Sequence, residues 1–310
     1  MAKPAPKNAK KNVALQRQNT GRPAGLVTWI AVGVVVLIVG ALVIVKISKG
    51  GVASPTQGWQ ATSAETVTAL TTVPQSVFDK IGITSPIESV TTPEVHLSEP
   101  QLTYTDAKTG TKLPGVYYFG SEYCPFCAAQ RWPTIVALAR FGTFASLGNT
   151  SSSSTDVYPS TPSFTFTKVS YSSPYIALHT IEEYSNVPSA NGQGYVLLHK
   201  PTAEESAIIK KYDTPTYFPT MNAQYAGSIP FFSIGNRIMW AGASISPSAF
   251  QGQVRDDIAK NLTDTTNPIT QGVIASANYI TAAICSQTGQ QPGKVCNSKG
   301  VLAAKKALKL

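Results

Sequence analysis

The stretch that decides the fold is "GVYYFGSEYCPFCAAQRWP", residues 115–133. It opens with strand formers closed by a glycine, and apolar residues follow at helical spacing from Pro125 onward. Cys124 and Cys127 lie at the junction, where the helix dipole and free backbone N–H groups favour a thiolate on Cys124. The pattern predicts a redox pair in which Cys124 reacts and the more buried Cys127, one turn further along, resolves the mixed disulfide.

Two alternatives to a redox pair are a metal site and a purely structural Cys124–Cys127 disulfide. Zinc usually takes four ligands, often from two paired motifs. The other cysteines, Cys285 and Cys296, do not form a second such motif, and the three histidines show no ligand spacing. A Cys124–Cys127 disulfide would close so short a loop that it gains little stability, which disfavours the purely structural interpretation. Because further metal ligands are lacking, we expect neither a metal nor another cofactor.

The elements around the motif predict a mixed α/β domain. Residues 102–106 alternate like a strand ahead of the motif, and residues 148–163 are polar and rich in turn formers, which indicates a surface excursion. The elements predicted after this excursion are two strands, a helix with a Thr202–Glu205 capping box, a hairpin turning at Gly235–Asn236, and a helix over 246–262 with Pro247 at its first position.

In this order, residues 115–133 resemble the active-site strand and helix of the thioredoxin superfamily. Pro133 matches the proline that kinks the active-site helix, and Ile229-Pro230 resembles the cis-proline that faces the active site. The Cys-Pro-Phe-Cys motif is closer to that of glutaredoxins than to the Cys-Gly-Pro-Cys of thioredoxin. The resemblance covers about residues 102–262 and implies a thioredoxin-like fold, a mixed sheet flanked by helices, with helical N- and C-terminal extensions.

The resemblance implies that Cys124, Cys127 and Pro230 form the catalytic site. There is one departure, because thioredoxins carry a buried acid for proton transfer on the strand before the motif. The corresponding position is near Tyr118, and this strand has no acid. Glu122 is the nearest carboxylate and the candidate for proton transfer, with a solvated loop residue as the alternative.

Two further features are open to two interpretations each. Cys285 and Cys296 enclose a loop with Gly and Pro, and a structural disulfide there would contribute about 3 kcal/mol. The alternative is a second redox pair that exchanges with Cys124.

Trp132 on the predicted active-site helix either packs in the core or contacts a substrate.

A charge-free apolar segment near the N-terminus predicts a membrane anchor. Residues 25–45 would span roughly 30 Å as a helix, the thickness of a bilayer's hydrocarbon core. A cleaved signal peptide is the rival, but its apolar region is usually shorter. The first 49 residues hold eight Lys and Arg and no acid, so about +1 of the net charge of +9 remains elsewhere. Because the basic residues are concentrated in this tail and not in the folded part, the net charge does not indicate nucleic-acid binding. Basic residues next to a membrane span stay on the cytoplasmic side, which predicts a cytoplasmic N-terminus.

The sequence thus predicts a single-pass cell-membrane protein whose extracytoplasmic part is a thiol–disulfide oxidoreductase. Its expected partners are exported cysteine-containing proteins and a membrane redox protein. The alternatives are a redox-inactive scaffold of the same fold and a dedicated electron carrier for one membrane partner. The whole arrangement also resembles an uncharacterised family of prokaryotic membrane-anchored thioredoxin-like proteins. The expected layout is a basic tail (1–24), a transmembrane helix (25–46), a linker with a short helical extension (47–100), the thioredoxin-like domain (101–265) and a C-terminal helical extension (266–310).

Overall fold

A six-stranded mixed sheet is the centre of the fold in the computed structural model, which describes residues 58–85, 90–106 and 109–310. The strands are β1 (Gln60–Ala61), β2 (Glu94–Val95), β3 (Thr103–Thr105), β4 (Lys112–Gly120), β5 (Thr143–Ser151), β6 (Pro162–Ser172), β7 (Ala177–Glu182), β8 (Tyr184–Pro188), β9 (Tyr195–Leu197), β10 (Phe231–Ile234) and β11 (Ile238–Ala241). The α-helices are α1 (Ala64–Thr71), α2 (Gln75–Ile81), α3 (Pro125–Leu138), α4 (Ala203–Tyr212), α5 (Arg255–Lys260), α6 (Pro268–Gln287), α7 (Gly293–Cys296) and α8 (Lys299–Leu308). The chain is therefore a mixed α/β protein, as predicted.

Strand β4 lies inside the sheet and sets its mixed character. It pairs in parallel with β7, from Gly115 opposite Ala177 to Gly120 opposite Glu182. On its other edge it pairs antiparallel with β10, whose hairpin with β11 turns at Gly235 and Asn236 as predicted. Neighbours on both edges pair the backbone of β4, and its successive side chains lie in apolar clusters on the two faces of the sheet, so the strand is buried up to Gly120.

Two smaller sheets complete the strand structure. Strands β1, β5 and β6 form an antiparallel sheet, and β8 pairs with β9. Strand β5 is not predicted by the sequence pattern. The predicted surface excursion over residues 148–163 is wrong at both ends, because β5 continues to Ser151 and β6 begins at Pro162.

Small hydroxyl side chains explain why that polar stretch can be buried. Ser152 and Ser153 are buried, and the Ser152 hydroxyl donates to the carbonyl of Tyr158 and accepts from the N–H of Thr161. A buried polar group costs little when its hydrogen bonds are made. The exposed part of the excursion is confined to residues 154–160.

Helix α3 lies in the middle of the core. Thirteen of its fourteen residues are buried, and its neighbours include the long helix α6, which is also buried over most of its length. Trp132 is fully buried, donates to the carbonyl of Pro162, and packs against Phe164 and Phe250. Of the two interpretations of Trp132, core packing is therefore correct. The region predicted as a C-terminal extension supplies α6 to the same core.

The predicted helix over residues 246–262 is divided in the structure. Pro247 does stand at the first position, but of a short 3₁₀ turn, Pro247–Phe250, and α5 starts only at Arg255. The 3₁₀ turn ends at Gln251, whose backbone has φ −59° and ψ 129°, and Gly252 follows in a left-handed conformation with a φ of +65°. The other helices predicted from the sequence agree better with the structure, since the break between α1 and α2 falls at Pro74 and α4 carries the Thr202–Glu205 capping box.

The predicted basic tail and membrane span, residues 1–46, lie outside the described residues, as does the start of the linker. Within the described residues, no helix is both long enough and apolar enough to cross a membrane.

Candidate functional site

The Cys-Pro-Phe-Cys motif lies at the connection between strand β4 and helix α3. Cys124 is the N-cap of α3, with an extended backbone, and Pro125 occupies the first helical position. Its sulfur accepts a hydrogen bond from the backbone N–H of Cys127 at 3.3 Å. Helix N-termini leave N–H groups without intrahelical partners, so the sulfur of Cys124 takes the place of a capping oxygen.

The predicted site residues Cys124, Cys127 and Pro230 come together. The Cys124 thiol lies 3.7 Å from the carbonyl oxygen of Ile229, to which it donates. The Ile229–Pro230 peptide bond is cis, as the resemblance implied, and leads directly into β10. Residues that are about a hundred positions apart in sequence therefore meet at one sulfur atom.

The two thiols are free but differ in their surroundings. Cys124 is 5% exposed and Cys127 is fully buried. A hydrogen bond from the Cys127 thiol lowers the pKa of Cys124, and backbone N–H groups and the charge of Arg131 add to this against the opposing effect of burial. Burial, together with that same thiol–thiol contact, raises the pKa of Cys127 well above its usual value. Cys124 is thus the better nucleophile of the two.

A buried ion pair, which was not predicted from the sequence, lies beneath the motif. Arg131 on α3 and Glu182 at the end of β7 are joined by two hydrogen bonds, Nε to Oε1 at 2.8 Å and Nη2 to Oε2 at 2.6 Å. Arg131 Nη2 also donates to the carbonyl of Ser121. A signal was available in the sequence, because Arg131 is a charged residue among the apolar residues of the helix.

Tyr118 fills the β4 position at which the resemblance placed a buried acid. Its ring is fully buried, lies under the Arg131 guanidinium at 5.7 Å and packs edge-on against Phe166. Burial raises the pKa of Tyr118 well above its usual value, so its hydroxyl is neutral. Neither this hydroxyl nor Arg131 Nη1 has a hydrogen-bond partner within the described part of the chain.

Glu122 has its own partners away from the motif. Its carboxylate accepts hydrogen bonds from the hydroxyls of Thr165 and Thr167 on β6, at 2.5 and 3.3 Å. Its proton-transfer role stays a prediction. The buried acid that the structure does provide near the motif is Glu182, whose pKa is raised by burial while Arg131 opposes the shift.

Aromatic side chains border the motif on its outer side. Phe126, between the two cysteines, is 40% exposed and meets Tyr158 edge-on. Tyr123 stacks on Tyr195 of β9 at a ring distance of 4.4 Å.

The loop that leads to Pro230 is tied to the end of α4 by Asp213. The backbone N–H of Gly227 donates to the Asp213 carbonyl at 3.0 Å, and the Asp213 side chain is buried. Burial raises the pKa of the Asp213 carboxyl to about 7, against the opposing effect of the nearby N–H groups of Gly227 and Ser228. Neither oxygen of the Asp213 carboxyl has a hydrogen-bond partner within the described residues.

The remaining sulfur and imidazole groups lie apart from the motif. Cys285 and Cys296 are bonded to each other, as the structural interpretation of this pair predicted. His179 and His199 each contact a different oxygen of Glu205 at 2.8 Å. Across the described ranges, no group of three or more His, Cys, Asp or Glu residues could hold a metal ion.

Comparison with known proteins identifies a family but no characterised relative. Residues 104–286 match the family described as a domain of unknown function (DUF929), which is more than half of the chain. No curated protein and no solved structure matches the sequence significantly.

Proposed function

The chain belongs to the DUF929 family, and we propose that it is a thiol–disulfide oxidoreductase that acts through Cys124 and Cys127. The observation that carries the proposal is the position of Cys124 as the N-cap of α3, with the Cys127 N–H donating to its sulfur. A thiolate is the reactive species in disulfide exchange, and a helix N-terminus stabilises it.

We further propose that the domain has a thioredoxin-like fold. Three relations support it: β4 runs straight into the cysteine-bearing helix α3, β7 lies parallel to β4, and the β10–β11 hairpin lies antiparallel on the other edge. The chain enters that hairpin through Pro230, beside the carbonyl that the Cys124 thiol contacts.

The exchange takes two steps, each of which forms one disulfide bond and breaks another. The Cys124 thiolate attacks one sulfur of a substrate disulfide, so a Cys124–substrate bond forms, the substrate bond breaks, and the leaving sulfur is protonated by water. Cys127 then loses its proton to water and attacks the Cys124 sulfur, which releases the second substrate thiolate. Two electrons pass from the cysteine pair to the substrate, and a dithiol donor restores the pair. The reverse sequence oxidises a substrate dithiol, and a disulfide or quinone-linked acceptor then restores the disulfide.

The proposed partners are exported proteins with cysteine pairs, and a membrane redox protein that regenerates the site. This assignment depends on the membrane anchor, which we propose from the charge-free residues 25–45 and the basic tail before them. The Cys285–Cys296 disulfide is consistent with an extracytoplasmic location, since such bonds persist in oxidising compartments.

Trapping of mixed disulfides in cells tests the proposal. In Cys127→Ser, the bond between Cys124 and a substrate can no longer be resolved, so adducts with exported proteins should accumulate on non-reducing gels. Cys124→Ser, which keeps the other thiol, should accumulate almost none. The double variant Cys124→Ser/Cys127→Ser is the background control.

Three other outcomes are informative. Equal trapping by the two single variants would reject the assigned roles. A single adduct partner in Cys127→Ser would favour the dedicated electron carrier. If neither variant forms adducts and both thiols titrate near the free value of about 8.5, the redox-inactive scaffold replaces the enzyme.

A further inference from the structure

The buried Arg131–Glu182 ion pair is a costly element of the fold. Arg131 is fully buried, and burying a charge is costly even when it is paired. Replacing a buried ion pair with apolar groups of similar size is often neutral or stabilising. Here the cost is higher, because Arg131 Nη1 has no partner in the described part of the chain. An additional role for the charge would account for this arrangement.

The position of Arg131 relates its charge to the resolving thiol. Arg131 follows Cys127 by four residues on α3, so the two side chains lie on the same helix face, one turn apart. Glu182, from β7, holds Nε and Nη2 on one side of the guanidinium and leaves Nη1 free of that pair. The Arg131 charge acts on both sulfurs, favouring the thiolate of each.

The other ionisable groups around Cys127 do not supply this positive charge. Tyr118, from β4, and Tyr123, ahead of α3, are neutral phenols whose pKa values are raised by burial. The Cys124 thiolate repels a second thiolate at Cys127. The Glu182 carboxylate is paired with Arg131, and the charge of Glu122 acts on Glu182.

We propose that Arg131 is a positioning residue for the exchange reaction, stabilising negative charge on the Cys127 sulfur while Glu182 holds the guanidinium in place. When a substrate thiolate attacks Cys124 in the Cys124–Cys127 disulfide, the electron pair of the broken bond moves to the Cys127 sulfur, which leaves as a thiolate without a proton transfer. In the opposite direction Cys127 must become a thiolate before it attacks Cys124. Arg131 favours both steps, because the same thiolate occurs in each. The inference rests on the proposed function.

The test measures how fast glutathione opens the Cys124–Cys127 disulfide of the full-length protein. Arg131→Met/Glu182→Gln removes the charge and its counter-ion together, so that no unpaired charge stays buried. An opposite charge nearby lowers a thiol pKa by about 1–3, and about half of such a change is felt in the exchange rate. Opening should therefore be roughly tenfold slower than in the wild type.

Two further variants separate charge from structure. Arg131→Lys keeps the charge but loses the planar contact with Glu182, so it should retain most of the opening rate even if its melting temperature falls. Arg140→Met removes a half-buried arginine, which contacts the Phe78 ring and α6, and should leave the rate unchanged.

The outcomes are separable from those of the proposed function. A wild-type disulfide that neither glutathione nor dithiothreitol opens in the folded protein would reject the oxidoreductase itself. Normal wild-type opening with an unchanged rate in Arg131→Met/Glu182→Gln would overturn the role of Arg131. If the double variant does not fold, Arg131→Lys decides: a rate close to the wild type supports the charge role, and a roughly tenfold loss overturns it.

Discussion

The two cysteine pairs of this chain are buried to nearly the same degree but have different surroundings. Cys124 is 5% exposed, and the other three cysteines are fully buried. The first pair lies at a helix N-terminus, with a buried arginine beneath it and exposed Phe126 beside it. The second pair joins the end of α6 to α7, is already bonded, and belongs to the main apolar core.

On the proposed function, depth alone does not distinguish the reactive cysteine pair from the structural one. What distinguishes them is the set of groups that can stabilise a thiolate: N–H groups at the start of α3 and the charge of Arg131. An apolar core offers no groups that stabilise a thiolate, so a cysteine pair there contributes to stability through its disulfide bond. Both pairs could be found in the sequence, but only their neighbours in space separate their roles.

The largest expected effect on stability comes from removing the second pair. Cys285→Ala/Cys296→Ala should lower the free energy of unfolding by about 3 kcal/mol, because the disulfide no longer restricts the unfolded chain. Thiol–disulfide exchange, measured by insulin reduction at a temperature where the variant is folded, should be nearly unchanged. Loss of exchange at unchanged stability would mean that the second pair relays electrons and that the comparison is wrong.

A smaller effect on stability is expected at Gly120, the last residue of β4 before the motif. A methyl group at Gly120 would lie 2.5 Å from the Tyr118 hydroxyl, whose ring is fixed in the core. Gly120→Ala should therefore cost about 2 kcal/mol in chemical denaturation and slow the exchange reaction. Gly293→Ala at the start of α7 is the control, since its added methyl meets its nearest atom at 3.6 Å. Equal effects of the two variants would show that the packing around Tyr118 is not special.

The smallest effect concerns the buried acid beside the Pro230 loop. Burial raises the folded-state pKa of Asp213 from 3.8 to about 7, so folding favours its protonated form. Its contribution to stability is full below about pH 4 and is lost as the pH rises through 7. Asp213→Asn should stabilise the protein at pH 8 by about 1–2 kcal/mol and flatten the change between pH 4 and 7. An unchanged pH profile of unfolding would show that Asp213 is not buried as a neutral acid.

Local patterns were sufficient for the parts of the fold that local physics determines. The start of α3 at the motif, the Thr202–Glu205 capping box and the turn at Gly235–Asn236 all follow from residues close together in sequence. These features are decided by backbone geometry and by hydrogen bonds over a few residues, which a sequence displays directly.

Features that depend on distant partners were missed. Strand β5 ends in a serine-rich segment whose polarity indicates a loop, and its burial depends on pairing with β6. The Arg131–Glu182 pair joins residues 51 positions apart, and nothing near either residue predicts the other. The placement of α6 in the main core likewise follows from packing against α3 rather than from its own pattern.

The most direct test of the central claim is the order in which the two reduced thiols of the first pair are alkylated. With the Cys285–Cys296 disulfide intact, iodoacetamide at mildly acidic pH should modify Cys124 at least about tenfold faster than Cys127, as read by peptide mass spectrometry. That result is expected because a hydrogen bond from the Cys127 thiol, with backbone N–H groups, lowers the pKa of Cys124, whereas burial raises the pKa of Cys127. Equal rates, or faster modification of Cys127, would contradict the account.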